Sequence, residues 1–222
     1  MTERPIIFSA EMVRAILDGR KKQTRRIMKA QPPPDAWVTV EHYHPIVIDR
    51  HDDMQPGEEI FGAHWDDGDF GLRCPYGQPG DLLWVREAWA SPCSTRELRD
   101  GVTACGITYR TGHEEAPGAG PRVDVKWRPS IHMPRWASRI TLRITDIRVE
   151  RLQDISEADA GAEGAPDYSS LSEASGEDMA EAQTRLCWRQ RWFASLWNKI
   201  NGPGAWEANP WVWVVSFERV KP

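Results

Sequence analysis

The stretch Gly19-Arg20-Lys21-Lys22-Gln23-Thr24-Arg25-Arg26 sets an amine, a hydroxyl and several guanidinium groups side by side in the chain. A lysine three residues before a threonine supplies the parts of an activated hydroxyl nucleophile, provided the amine gives up its proton. Neighbouring cations push that way, because a like charge disfavours the ammonium form. The plain alternative is a solvated basic face or a phosphate-binding patch. The nucleophile reading also makes a geometric demand. In an ideal strand, residues three apart face opposite sides, so Lys21 and Thr24 share a pocket only if the backbone turns between them.

Upstream of this stretch, Ile6-Ile7-Phe8 reads as a short buried strand, and Ser9 can cap a helix from Ala10 to Asp18. Met12, Val13, Ile16 and Leu17 give that helix one apolar face, and Gly19 stops it. Downstream, Gln31-Pro32-Pro33-Pro34-Asp35 breaks the chain. Residues 37–40, 46–48 and 82–89 read as strands, and 107–110 as a short one. Residues 49–77 form an acidic, glycine-bearing insertion rich in turns, and 91–125 a second turn-rich insertion. Arg139 to Leu152 alternates through Ile140, Leu142, Ile144, Ile147 and Val149, the signature of a long strand. Ser156 caps a short helix that ends near Gly164, and the longest helix is expected over residues 177–200. In the closing strand, Trp211, Trp213, Val215 and Phe217 fall on one side.

The pattern Gly19-x-Lys21-x-x-Thr24-x-Arg26 resembles the signature of the ASCH domains, relatives of the PUA-type RNA-binding barrels. It is most similar to the small bacterial ASCH amidohydrolases that remove the acyl group from N4-acetylcytidine. Leu152-Gln153-Asp154-Ile155-Ser156-Glu157 followed by a short helix and Glu163 resembles a second family segment, and Pro79-Gly80-Asp81-Leu82 a third. The long, tryptophan-rich form resembles proteins carried by phages and prophages. The resemblance implies an α+β fold, a PUA-like β-barrel with flanking helices and loop insertions. It implies a hydrolase acting on a non-peptide C–N bond, with Lys21, Thr24 and Glu163 as catalytic residues and no cofactor. The substrate would be an N4-acylated cytosine base or nucleoside.

Further candidates come from the residues themselves. Arg26 can stabilise an oxyanion. Arg86 and Trp89, near a strand end, and Ser130 and His132, in the proline-fixed Pro129 to Trp136 loop, can contact substrate. Some of the 12 tryptophans suit stacking on a pyrimidine. His42, His44, His51, Asp52, Asp53, His64 and Asp66 could furnish zinc ligands but lack helical spacing, so side chains facing water, and no metal, are expected.

The chain's 222 residues fit one elaborated domain over 1–222, and 40% hydrophobic content supports a core. A net charge of −5 argues against nonspecific coating of nucleic acid. An RNA-binding or RNA-cleaving module remains the alternative, because residues 20–29 are locally basic; it requires phosphate contacts from Arg25, Arg26 and Lys29. No apolar run approaches the roughly 20 residues a bilayer demands. The N-terminus lacks the apolar core of a signal peptide, so a cytoplasmic location without membrane partners is expected. Cys74, Cys93, Cys105 and Cys187 form no Cys-x-x-Cys pair and read as free thiols.

Overall fold

The computed structural model describes residues 1–65, 70–91, 107–113, 126–166 and 187–220. In chain order the elements are β1 (Glu3–Ile7), α1 (Ala10–Leu17), β2 (Gln23–Ile27), β3 (Thr39–Tyr43), β4 (Ile46–Ile48), β5 (Met54–Pro56), β6 (Ile60–Trp65) and β7 (Phe70–Arg73). There follow β8 (Leu82–Arg86), β9 (Trp89–Ala90), β10 (Thr108–Tyr109), α2 (Arg110–His113), β11 (Thr141–Arg151), α3 (Glu157–Ala162), α4 (Trp188–Asn201) and β12 (Trp211–Val220).

The main sheet has five strands in the order β1-β8-β11-β12-β2. β1 runs parallel to β8, and the remaining pairs are antiparallel. The fold is sheet-rich with few helices, as expected, but the barrel is not closed among the described residues: the ladder ends at β1 and β2. Where the next ladder would lie, the Arg26 guanidinium reaches across and donates to the Ile7 carbonyl at 2.7 Å.

The long strand β12 explains how two cores share one sheet. Trp211, Trp213, Val215 and Phe217 pack with Ile6, Val13, Ile16, Leu83, Leu142 and Ile144 on one face. Val212 and Val214 pack on the other face with Leu152, Ile155, Phe193, Trp197 and Trp206, beneath α3 and α4. Side chains alternate along a strand, so a strand buried on both sides reads as a continuous apolar run, as Trp211 to Val215 does.

The 49–77 expectation needs correction. The stretch is strand-rich rather than turn-rich: β6 and β7 join β3 in a three-stranded antiparallel sheet, and β4 and β5 form a separate two-stranded ribbon. The strand expected at 37–40 lies slightly later, over β3. The strand expected at 82–89 ends at Arg86, and a separate short strand, β9, takes Trp89. Most of the 91–125 insertion, the first part of the helix expected over 177–200, and Asp66, Cys93 and Cys105 lie outside the described residues. Cys74 and Cys187 are free thiols; burial pushes the Cys74 thiol up to about 11. Among the described residues, no helix is long and apolar enough to cross a membrane.

Candidate active site

Lys21 and Thr24 reach one cavity because Lys21 stands outside the strand that carries Thr24. The Ser9 hydroxyl accepts from the Met12 amide and opens α1, and Gly19, at φ +75°, turns the chain back at its end. The Lys21 amide then donates to the Ala15 carbonyl at 2.9 Å, and the Lys22 amide to the Ala162 carbonyl at 2.8 Å. The Lys22 carbonyl accepts from the Phe217 amide at 2.8 Å, and from Gln23 onward β2 pairs in register with β12. The turn that the motif demanded is therefore the α1–β2 connection, and Lys21 and Thr24 both line the same cavity.

Glu163 arrives from the far side. Ser156 caps α3 by accepting from the Asp159 amide, and Glu163 sits at the helix's C-terminal boundary. Gly164 follows at φ +102°, packed so closely that a Cβ there would stand 3.0 Å from the Ala15 side chain. That contact brings the end of α3 against α1 and sets Glu163 over Lys21. The Lys21 ammonium donates to Glu163 Oε2 at 2.5 Å and to the Glu163 carbonyl at 2.8 Å. Lys21, Thr24 and Glu163 are each only 3% exposed. Burial holds the Lys21 pKa below the ordinary lysine value. Glu163 opposes the shift, and Arg26 and Arg25 add to it. Burial, rather than the neighbouring cations, is the larger cause.

The cavity holds about 400 Å³, within the range of small-molecule sites. Its walls are largely apolar: Phe8, Met12 and Tyr76, with Phe193, Leu196 and Trp197 from α4. Ile7 at the end of β1 and Arg26 and Ile27 at the end of β2 line it, so the unpaired seam of the sheet borders the cavity. Arg26 lines it and lies 5.4 Å above the Phe8 ring.

Among the proposed substrate-contacting residues, the structure brings Arg26 to this cavity and places the others elsewhere. The Arg86 side chain turns away, donating to the Met133 carbonyl at 3.2 Å and covering the Trp84 ring. Trp89 is buried with Met133 and Ala137 in a separate small core. Ser130 and His132 sit on an exposed 3-10 turn that the cavity does not reach. The sequence placed these residues near strand ends and loop rims, which is necessary for a site and far from sufficient. Among the candidate zinc ligands, His42 pairs with Gln78, His44 with the Gly57 carbonyl and His64 with Glu41.

The sequence reading placed Arg25 among the cations near Lys21 and as a phosphate contact of the RNA alternative, and missed its carboxylate partners. Its side chain is fully buried, with Nε and Nη2 on Glu150 Oε1 at 3.0 and 2.5 Å, Nη1 on Gln23 Oε1 at 2.7 Å, and Nη1 3.4 Å from Glu163 Oε1. Two members of the basic run are turned inward, Lys21 and Arg25, each committed to carboxylates, whereas Arg20 pairs with Asp18 at the surface. Lys22 and Lys29 remain exposed. A phosphate patch built on Arg25 is therefore ruled out by its burial. The aromatic wall was visible only indirectly, as the apolar face of the last helix.

No family model and no curated protein matches the chain. Among solved structures, it is similar to an ASCH domain. That domain comes from Lactobacillus crispatus JV V101, and the likeness spans 98% of this chain and 79% of that one, at 12% identity and a TM-score of 0.35.

Proposed function

We propose that the protein is an amidohydrolase that removes the acyl group from N4 of an acylated cytosine base or nucleoside. The observation that carries this reading is the buried Lys21–Glu163 pair with Thr24 on the wall of the same cavity. A lysine is useful as a base only when it is neutral near working pH, and dehydration of its ammonium favours that state.

Thr24 Oγ1 forms a bond to the acyl carbon while its proton passes to neutral Lys21 Nζ. Collapse of the tetrahedral species breaks the bond to N4, and Lys21 returns the proton to the departing amine. Water then attacks the Thr24 ester; its proton travels by the Lys21–Glu163 pair back to Thr24 Oγ1, and the carboxylic acid leaves. Glu163 aligns Lys21 through the 2.5 Å contact and serves as the second proton station. Arg26 supports the oxyanion, a role worth about 3 kcal/mol in comparable sites. The aromatic side chains that line the cavity, Phe8, Tyr76 and Trp197, offer faces on which the pyrimidine can stack. All of this is done with side chains.

The test is incubation of the purified protein with N4-acetylcytidine and N4-benzoylcytidine, following conversion to cytidine by absorbance. Turnover is expected in the wild type and lost in Lys21→Ala, Thr24→Ala and Glu163→Ala. A folded wild type inert on both substrates refutes the reading.

A further inference from the structure

We infer that Arg25 is the positioning residue of this site: its buried guanidinium holds the Glu163 carboxylate in the one orientation that presents Oε2 to Lys21. The inference rests on the reading of Lys21 and Glu163 as the working pair. The two Glu163 oxygens are divided between two cations, with Oε2 on Lys21 Nζ and Oε1 facing Arg25 Nη1 at 3.4 Å. Without the second cation the carboxylate is free to rotate about its last bond.

Arg25 can do this because it is itself fixed. Glu150 of β11 takes both Nε and Nη2, Gln23 takes Nη1, and Asp159 of α3 stands 3.5 Å from Nη2. Arg148 of β11 completes the frame, donating to Glu150 Oε2 at 3.1 Å and to Asp159 Oδ2 at 3.1 Å. The Phe193 ring covers the guanidinium at 5.8 Å. A planar fork spanning Gln23, Glu150 and Glu163 at once is a geometry that an ammonium cannot copy. Other charged or titratable groups around the pair include Arg26 on β2, Tyr76 in the cavity lining and Arg20, which donates to the Gly164 carbonyl at 2.9 Å; Arg189 of α4 lies against Gly161 of α3. Arg25 also acts on Lys21 by charge, since a cation nearby disfavours the ammonium.

Charge and fork separate in two variants. Arg25→Lys keeps the charge and loses the fork: kcat is expected to fall on the order of tenfold or more, with KM and the acid limb of the pH profile unmoved. Arg25→Gln loses both: kcat falls, and the acid limb moves to higher pH as Lys21 regains its proton. Glu150→Gln keeps Arg25 but frees it toward Glu163, and the acid limb moves to lower pH. Thermal melts establish that each variant is folded.

Full kcat in Arg25→Lys overturns the inference, and so does a change confined to KM, which would make Arg25 a substrate contact. Titration of the Lys21 13Cε resonance by NMR reads the same shifts without substrate. It separates this inference from the proposed reaction, which can fail on its own. A Lys21 titration unmoved in Arg25→Gln overturns the inference whether or not the protein turns over any amide.

Discussion

Gly164→Ala tests how the site is assembled. Gly164 adopts φ +102°, which only glycine reaches without strain, and an added Cβ would stand 3.0 Å from Ala15 Cβ and 3.2 Å from Lys21 Cβ. Two costs combine. Backbone strain contributes about 1–2 kcal/mol. Overpacking between α1 and the end of α3 contributes about 1–3 kcal/mol. Gly19→Ala is the control, because Gly19 also has positive φ but nothing lies within 4 Å of its missing Cβ. It carries the strain alone, about 1–2 kcal/mol. The difference between the two variants is therefore about 2 kcal/mol, which for a chain of this size is on the order of 5 °C in Tm. Urea unfolding and thermal melts of both variants measure it. Gly164→Ala is also expected to lose amide turnover, because the clash pushes on Lys21 itself. Equal stability of the two variants refutes the close-packing argument, whatever happens to activity.

Thr24→Ala is expected to lower kcat on the order of 1000-fold, whereas Thr24→Ser retains turnover and accumulates an acyl ester that intact-mass measurement detects; full activity in Thr24→Ala points to direct attack by a Glu163-activated water. The depressed Lys21 pKa also has a stability consequence. Between its folded value and its unfolded value near 10.4, the unfolded chain binds more protons, so unfolding free energy rises with pH through that window. Below the window the buried ammonium imposes a constant penalty. The stability of wild type relative to Lys21→Met should therefore grow as pH rises toward 10, and a flat difference would count against the depressed pKa. Ser156→Ala removes the hydroxyl that accepts from the Asp159 amide and should cost about 1 kcal/mol in urea unfolding; an unchanged midpoint would mean that packing alone holds α3.

Local chemistry made parts of this architecture legible. Ser9 and Gly19 bracket α1 because a cap and a left-handed stop are written in single residues. β11 and β12 show in their apolar patterns, and the Ser156 cap marks the short helix that ends beside Glu163, whose candidacy came from the family resemblance. What failed was the meaning of glycine. The glycine-bearing 49–77 stretch reads as rich in turns, yet Gly62 and Gly71 lie inside strands. A Cβ at Gly62 would fall 2.2 Å from the Leu72 carbonyl oxygen, and one at Gly71 2.2 Å from the Tyr43 hydroxyl. These glycines permit close approach rather than reversal, and no local pattern separates the two uses. Arg25 failed differently. Its neighbours Glu150 and Glu163 are 125 and 138 residues away, so its burial is decided by tertiary pairing alone. Arg86 and Trp89 at strand ends and Ser130 and His132 on a turn carry plausible side chains, and only the tertiary fold tells which of these positions face the cavity.

The Lys21–Glu163 contact closes a span of 142 residues, and the wall opposite is supplied by α4, later still in the chain. A ribosome must therefore release most of the polypeptide before this cavity has all its sides. Contacts so distant in sequence form late, because the entropy of closing long loops is lost before the contact is gained. A partially synthesised or clipped chain would carry Lys21 and Thr24 intact yet have no Glu163 to align them. Recovery of amide turnover during refolding would thus time the last docking event, trailing the return of strand signal by circular dichroism.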